Sequence, residues 1–341
     1  MNEIHCGDCL ELMRGMPDNS VDLILTDPPY YRVKGDWWDR QWDTRAGFLA
    51  WLDTVLEQFH RVLKPNGSLY MFASPRMSAH VEVLIGERFN VLNHIVWTKE
   101  DAPTHALKYG DDRFRQYVQK SERIIFAEHY GADNIAKGEA GYEAKCDELR
   151  GFVFEPLRAY LDGEKDRAGF TTRQVAEAFQ QRTGSRTVTG MAGHWFTSIQ
   201  WTLPTEDCYN WLQELFNAQG GEYLRREYEY LRREYEYLRR PFAVTADVPY
   251  TDTWTFPTVQ AYKGKHVCEK PMAMLEHIIT ASSKPGAVVL DAFAGSGATL
   301  EAAKNLGREY VGIEIDQQWA DKARHRCTQR GLFSSNDDHA E

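Results

Sequence analysis

Two stretches of the sequence hold residues whose types and spacing could do chemistry. In VDLILTDPPYY (21–31), Val21–Leu25 read as a buried strand that stops on the carboxylate of Asp27, followed by Pro28, Pro29 and two tyrosines. Proline fixes φ and lacks the ladder N–H, so the pair ends the strand and sets the backbone. The turn presents a carboxylate, a pre-set carbonyl and the ring of Tyr30. The plain alternative is a structural turn, since Asp-Pro commonly opens one, and on this stretch alone the two readings weigh equally. In VVLDAFAGSGATLEAAKNLGREYVGIEID (288–316), a strand runs into a Gly-rich turn, a helix and a second strand ending at Glu314. Gly295 and Gly297 let the backbone turn tightly and approach a ligand. Glu314 stands where a carboxylate accepts from ribose hydroxyls, against the alternative of a tight turn with a chance acid. The third glycine of the dinucleotide fingerprint is absent. Asp291 would repel a pyrophosphate and suits a cationic amino-acid tail, which points away from NAD and toward S-adenosylmethionine.

The elements that must position these groups alternate. NEIHC (2–6), VDLILT (21–26), SLYMFA (68–73), VLNHIVWT (91–98) and ERIIFAE (122–128) read as strands, and residues 45–63 place apolar side chains at helical spacing. The rhythm breaks over 131–260, which is polar, Arg-rich and aromatic-rich, and returns with AMLEHIITASS, AVVLDAF, ATLEAAKNLG and EYVGIEI. The expected fold class is α/β, an open parallel sheet of about seven strands covered by helices. The expected organisation is a first core half at 1–130, a mainly helical insertion at 131–260, a second core half at 261–330 and a tail at 331–341. Length allows this: 341 residues suffice for two domains or one with a large insertion. The six cysteines form no CxxC pair, which supports neither a zinc site nor a disulfide scaffold. No apolar run spans a membrane and no secretory signal is evident, so the expected location is the cytoplasm. A net charge of −10 requires any nucleic-acid contact to come from a local basic cluster.

TDPPY together with DAFAGSGAT resembles the amino-methyltransferases that modify the exocyclic amine of adenine or cytosine in DNA. The catalytic motif precedes the cofactor motif, as in the family's beta-type permuted order. IHCGDCLELMRGMPDNSVDLILTDPPY, HRVLKPNGSLYMF, HIVWTK and KHVCEKPMAMLEHIITASSKPGAVVLDAFAGSG are similar to further family blocks, and together cover more than half of the chain. Ala292 stands where the family often has Pro, Ala298 where it often has Thr, and HVCEKP replaces the commoner HPTQKP, which leaves the roles of His266 and Lys270 open.

The resemblance implies a permuted Rossmann-like methyltransferase binding S-adenosylmethionine and DNA. It places Asp8 on the cofactor's adenine amine with Cys9 beside it, Cys9 weighing toward packing. The implied cofactor site continues through Lys270, Asp291, Phe293, Gly295 and Ser296, and on through Gly297, Glu314 and Ile315. The implied catalytic residues are Asp27, Pro28, Pro29 and Tyr30. An exocyclic amine is a poor nucleophile because its lone pair is delocalised into the ring. Acceptors on Asp27 and on the Pro28 carbonyl would hold its two N–H groups and aim the lone pair at the methyl sulfonium, while Tyr30 stacks on the extruded base. Adenine N6 is the expected target, with cytosine N4, or a non-catalytic DNA-binding regulator on a relic core, as alternatives. Cytosine C5 chemistry is disfavoured because no Pro-Cys dipeptide occurs. Trp37, Trp38 and Trp42 follow the motif. They read either as a loop closing over a flipped base, with Trp38 on DNA, or as packing.

In the insertion, FTTRQVAEAFQQRTGSRTVTGMAGHWFTSIQW (170–201) reads helix, turn, helix, capped by Thr171 or Thr172. Arg173, Arg182 and Arg186 give the basic cluster, and the segment is either a DNA reader or an ordinary helical hairpin. EYLRREY, EYLRREY and EYLRRPF (222–242) then repeat. Leu224, Tyr228, Leu231, Tyr235 and Leu238 space as a heptad seam on one helix. Packing within the insertion ranks first for this seam, a homodimer interface second and an arginine rail for phosphates third. No metal site is expected.

Overall fold

The computed structural model describes residues 2–33, 37–99, 117, 119–129, 142–186, 190–197, 201–243, 251–260, 262, 265–266 and 268–328, with the backbone alone for 37–38, 142–152 and 190–191. Its contacts divide the chain into two units, Met1–His129 with Pro241–Glu341, and Tyr130–Arg240. In chain order the first unit runs β1 (Asn2–Cys6), α1 (Cys9–Arg14), β2 (Val21–Thr26), α2 (Arg45–Val62), β3 (Leu63–Ala73), α3 (Ser78–Gly86), β4 (Asn90–Thr98) and β5 (Ser121–Glu128). The second unit supplies α4 (Tyr142–Arg167), α5 (Thr172–Thr183), α6 (Glu206–Asn217) and α7 (Tyr228–Leu238). The first unit resumes with β6 (Thr253–Thr255), α8 (Met272–Ser282), β7 (Val288–Asp291), α9 (Ala298–Asn305), β8 (Glu309–Glu314) and α10 (Gln317–Thr328).

The eight strands form one sheet in the order β1-β8-β7-β2-β3-β5-β4-β6. The five from β1 to β3 are mutually parallel. β5 runs antiparallel to both β3 and β4, so the wholly parallel expectation is corrected to a mixed sheet. The eighth strand is β6, which pairs with β4 through Thr253–Thr255. Three residues are too few to show a period in sequence. This strand also moves the boundary expected at residue 260 back to 240, because it joins its segment to the core sheet.

Both faces of the sheet are covered, which explains the near-continuous apolar strands. Along β2, Val21 and Ile24 pack with Leu52, Leu56 and Phe59 of α2, while Leu23 and Leu25 pack on the opposite side with Leu275 and Ile278 of α8. α2 starts where Thr44 accepts a hydrogen bond from the Gly47 N–H, and its apolar stripe Phe48, Leu52, Val55, Leu56, Phe59 and Val62 is buried.

The second unit has its own core, built from Leu157, Val175, Phe179, Trp195, Tyr209, Leu212 and Leu231 among others. Thr171 caps α5 in a reciprocal box with Gln174, and Gly184 closes the helix in the left-handed region. The expected second helix of the hairpin is instead a 3₁₀ helix, Gly190–Trp195.

The single helix expected through the repeat is also corrected. α7 covers Tyr228–Leu238 alone. All but the last residue of the first copy, 222–227, is irregular, and Leu224 sits at φ 53. Its N–H donates to Glu164 Oε2 at 2.7 Å and its carbonyl accepts from the Tyr209 hydroxyl at 3.2 Å, bonds a helical backbone could not make. The seam side chains nonetheless face this unit's core: Leu224 and Leu231 are fully buried in it, and Tyr228, Tyr235 and Leu238 pack against it. Leu231→Ala is expected to destabilise this unit by about 2–5 kcal/mol through lost burial and a residual cavity. Urea denaturation measures this, and an unchanged midpoint would contradict the packing role.

Candidate active site

The parallel strands β1, β8, β7 and β2 lie side by side, so the turns at their carboxyl ends open onto one crevice. Those turns carry Asp8, Glu314, the Gly295–Gly297 loop and Asp27. The crevice holds a cavity of about 140 Å³ lined by all of these together with Pro28, Pro29, Tyr30, Cys9, Lys270, Asp291, Phe293 and Ile315. Residues separated by most of the chain are thereby brought together.

At the β2 end, Asp27 Oδ2 lies 2.6 Å from Lys270 Nζ. Asp27 Oδ1 is buried and has no hydrogen-bond partner among the described residues. The Tyr30 N–H donates to the buried Asp39 at 2.7 Å, which fixes the turn after the prolines. Lys270 reaches a second carboxylate, Glu122 Oε2, at 3.0 Å, and the Tyr30 hydroxyl donates to the same oxygen at 3.3 Å. Lys99 pairs with Glu122 Oε1. Neither Glu122 nor Lys99 stands out in the sequence, because their arrival depends on strand direction. β5 is antiparallel, so its first residues lie at the same sheet edge as the carboxyl ends of the parallel strands, where Glu122 is paired with Trp97 near the end of β4. Lys270, whose role the sequence left open beside the cofactor, is here held between two carboxylates.

The charges act on one another. Burial pushes the Asp27 carboxyl above its ordinary value and the Lys270 ammonium pulls it back only in part. Burial also opposes ionisation of Glu122, but Lys270 and Lys99 override it and bring its carboxyl down to about 2. Burial works against the Lys270 ammonium, yet Asp27 and Glu122 hold it above the usual lysine range.

The Gly-rich loop is tightly constrained. Gly297 has φ 79, and a Cβ there would come within 2.8 Å of Ala323 Cβ. Glu314 Oε2 accepts from the Gly295 N–H at 2.8 Å and Oε1 from the Asp316 N–H at 2.9 Å. Burial raises the Glu314 carboxyl above its ordinary value against the pull of these N–H groups. Asp291 Oδ1 accepts from the Thr26 hydroxyl at 2.8 Å and the Phe293 N–H at 3.1 Å, and burial raises its carboxyl to about 6. Its carboxylate therefore ties β7 to β2 as well as lining the cavity. Ser296 donates to Glu269 at 2.9 Å, and Glu269 pairs with Arg326 at 3.1 Å. Phe293 packs on Trp51, ring centroids 5.9 Å apart, and Ile315 is half-exposed at the rim. Asp8 caps α1 through Oδ1, at 2.9 Å from the Leu10 N–H. Cys9 is buried, which pushes its thiol up to about 12 and makes it packing rather than nucleophile.

These side chains fit a nucleoside with a cationic tail. The cavity joins a left-handed glycine turn, the Glu314 carboxylate and the acidic wall of Asp291. Among the described residues no group of three His, Cys, Asp or Glu side chains could hold a metal, and no helix is long and apolar enough to cross a membrane.

Of the aromatic loop, Trp42 packs on Phe48 and Trp51 at 5.0 and 4.5 Å. Trp38 belongs to a 3₁₀ helix, and its side chain lies outside the described residues. In the second unit the three arginines are not brought onto one surface. Arg173 and Arg182 are nine positions apart on α5, which at about 100° per residue sets them on opposite faces. Arg173 pairs with Glu177 at 2.8 Å, Arg182 lies 5.4 Å from the Trp211 ring centroid, and Arg186 is exposed beyond the helix.

The family model for N6/N4-type DNA methylases matches residues 21–325. The chain belongs to this family. As a DNA methyltransferase it is 26% identical over 335 residues to the DNA adenine methyltransferase YhdJ of Escherichia coli (strain K12), covering 97% of this chain and 84% of that protein. It is 25% identical over 328 residues to the type II methyltransferase M1.MboII of Moraxella bovis, covering 95% of each. Among solved structures it is similar in fold to the M1.HpyAVI–SAM complex, with TM-score 0.51 and 18% identity over 96% of this chain and 100% of that one. The cytosine-N4-specific PvuII DNA methyltransferase shares the fold at TM-score 0.53 and 11% identity over 98% of this chain and 87% of that one. In this DNA methylase the strand β2, which leads into Asp27, precedes the Gly-rich loop in sequence and lies beside β7 in the sheet, which is the beta-type order.

Proposed function

We propose that the enzyme transfers a methyl group from S-adenosylmethionine to the N6 amine of an adenine extruded from DNA. The observation that carries this reading is the buried, unpartnered Asp27 Oδ1 next to the proline-fixed Pro28 carbonyl, for which no hydrogen bond occurs among the described residues. Both acceptors lie at a cavity fit for the cofactor. S-adenosylmethionine, when bound, supplies an electrophilic methyl group on a sulfonium. Glu314 would hold its ribose, Asp8 its adenine amine, and the Gly295–Gly297 loop its backbone approach. Asp27 Oδ1 accepts one N–H of the target amine and Pro28 the other. Tyr30 offers its ring for stacking, and the barrier falls chiefly through alignment and preorganised acceptors. The adenine reading draws support from the similarity to a relative named for adenine, and the type II relative favours a modification role. Nucleoside mass spectrometry of unmethylated DNA, after incubation with protein and cofactor, tests it. N6-methyldeoxyadenosine is the expected product, N4-methyldeoxycytidine would reassign the base, and no methylated nucleoside would overturn the reading.

The second unit is proposed to contact DNA phosphates through two of its exposed arginines, Arg173 and Arg186. Their joint replacement by Ala is expected to lower DNA affinity evenly across sequences and flatten the salt slope by about one unit per contact. Cofactor affinity should not move. DNA titrations over a salt series measure this, and an unchanged slope would remove both residues from the interface.

A further inference from the structure

We propose that Glu122 is a positioning residue that shares the Lys270 ammonium with Asp27 and thereby keeps one Asp27 oxygen open to the target amine. The inference rests on the methyl-transfer reading above. Lys270 Nζ stands 2.6 Å from Asp27 Oδ2 and 3.0 Å from Glu122 Oε2, with its side chain 7% exposed. A buried carboxylate oxygen without a donor is costly, and an ammonium has three donors to offer. With no rival acceptor, Lys270 would close on both oxygens of Asp27. Glu122 draws it to the other side, and Asp27 Oδ1 stays without a hydrogen bond among the described residues. The open oxygen is the one the chemistry needs.

The arrangement is braced from β4 and from the catalytic turn. Lys99 occupies Glu122 Oε1, so charge alternates in sign from Asp27 through Lys270 and Glu122 to Lys99. The Tyr30 hydroxyl bonds the same Glu122 oxygen as Lys270, so one carboxylate sets both the ammonium and the ring on which the base would stack. Tyr30, Cys268 and Asp291 also bear on Asp27 and Lys270.

The test compares Glu122→Gln and Lys270→Met with the wild-type enzyme. Turnover on DNA is followed against pH at saturating cofactor, and cofactor affinity is measured by calorimetry. Glu122→Gln should slow turnover about 10- to 100-fold by misplacing Lys270 and Tyr30, with cofactor affinity within a few-fold of wild type. Its acid limb should move to lower pH, because a negative neighbour of Asp27 is gone and the ammonium falls wholly to Asp27. Lys270→Met should move the acid limb to higher pH, because Asp27 loses its counter-charge. A residue that merely supported the fold would not produce shifts of opposite sign. Wild-type turnover with an unmoved limb in Glu122→Gln overturns the inference, and so do limbs that move the same way. Should Glu122→Gln fail to bind cofactor, Lys270→Met decides, and an unmoved limb there overturns the inference. Wild-type enzyme that leaves DNA unmethylated in this assay overturns the methyl-transfer reading itself, and the inference with it.

Discussion

Asp27→Ala is expected to lower the rate of methyl transfer by about 100- to 1000-fold, equivalent to about 3–4 kcal/mol, while leaving cofactor affinity within several-fold. The loss follows from geometry. Asp27 Oδ1 is a buried acceptor with no hydrogen-bond partner among the described residues. The fold should survive, because Lys270 keeps Glu122 at 3.0 Å as a counter-charge. In the wild-type enzyme, burial raises the Asp27 carboxyl above its ordinary value despite Lys270. Acceptance from the amine needs the ionised form, so turnover should be full above that raised value and fall as pH drops through it. Single-turnover methylation of unmethylated DNA, read by nucleoside mass spectrometry, measures both effects. Near wild-type turnover in the Ala variant would remove Asp27 from the chemistry.

Glu314→Ala is expected to weaken cofactor binding by about 2–4 kcal/mol, from two charge-assisted hydrogen bonds to the ribose. The chemical step of the bound state should change much less, since the ribose is remote from the reacting carbon. The structure adds a second source of loss. Glu314 also accepts the N–H groups of Gly295 and Asp316, so the Ala variant frees the glycine loop as well. Glu314→Gln separates the two, because an amide oxygen can still accept from the loop. Burial raises the Glu314 carboxyl, so cofactor affinity should fall as pH drops through that raised value. Isothermal titration of both variants is the measurement, and an unchanged dissociation constant in Glu314→Ala would refute the ribose role.

Much of this molecule was legible in its sequence because the information is local. A strand that ends on Asp27 and two prolines, a glycine turn that needs positive φ at Gly295 and Gly297, and a threonine cap at residue 171 each declare themselves within a few residues. The apolar period of α2 does the same over five turns. Proline, glycine and capping chemistry act through the backbone next to them, so tertiary packing seldom overrides them.

Direction and long-range pairing decided the rest. Whether β5 runs parallel or antiparallel leaves no mark on its own residues, yet that direction sets Glu122 at the active edge. Lys270 could not be assigned from spacing, since its two carboxylates lie 148 and 243 positions away along the chain. Arg173 and Arg182 were close in sequence but not on one face, because a helix disperses residues by angle. The repeat makes the same point within one protein. EYLRREY occurs twice in succession, and the second copy lies in α7 while all but the last residue of the first is irregular. Identical residues have identical propensities, so the difference comes from outside them. Glu164 and Tyr209 hold the backbone of Leu224 at positive φ, and nothing in the heptapeptide itself specifies those bonds.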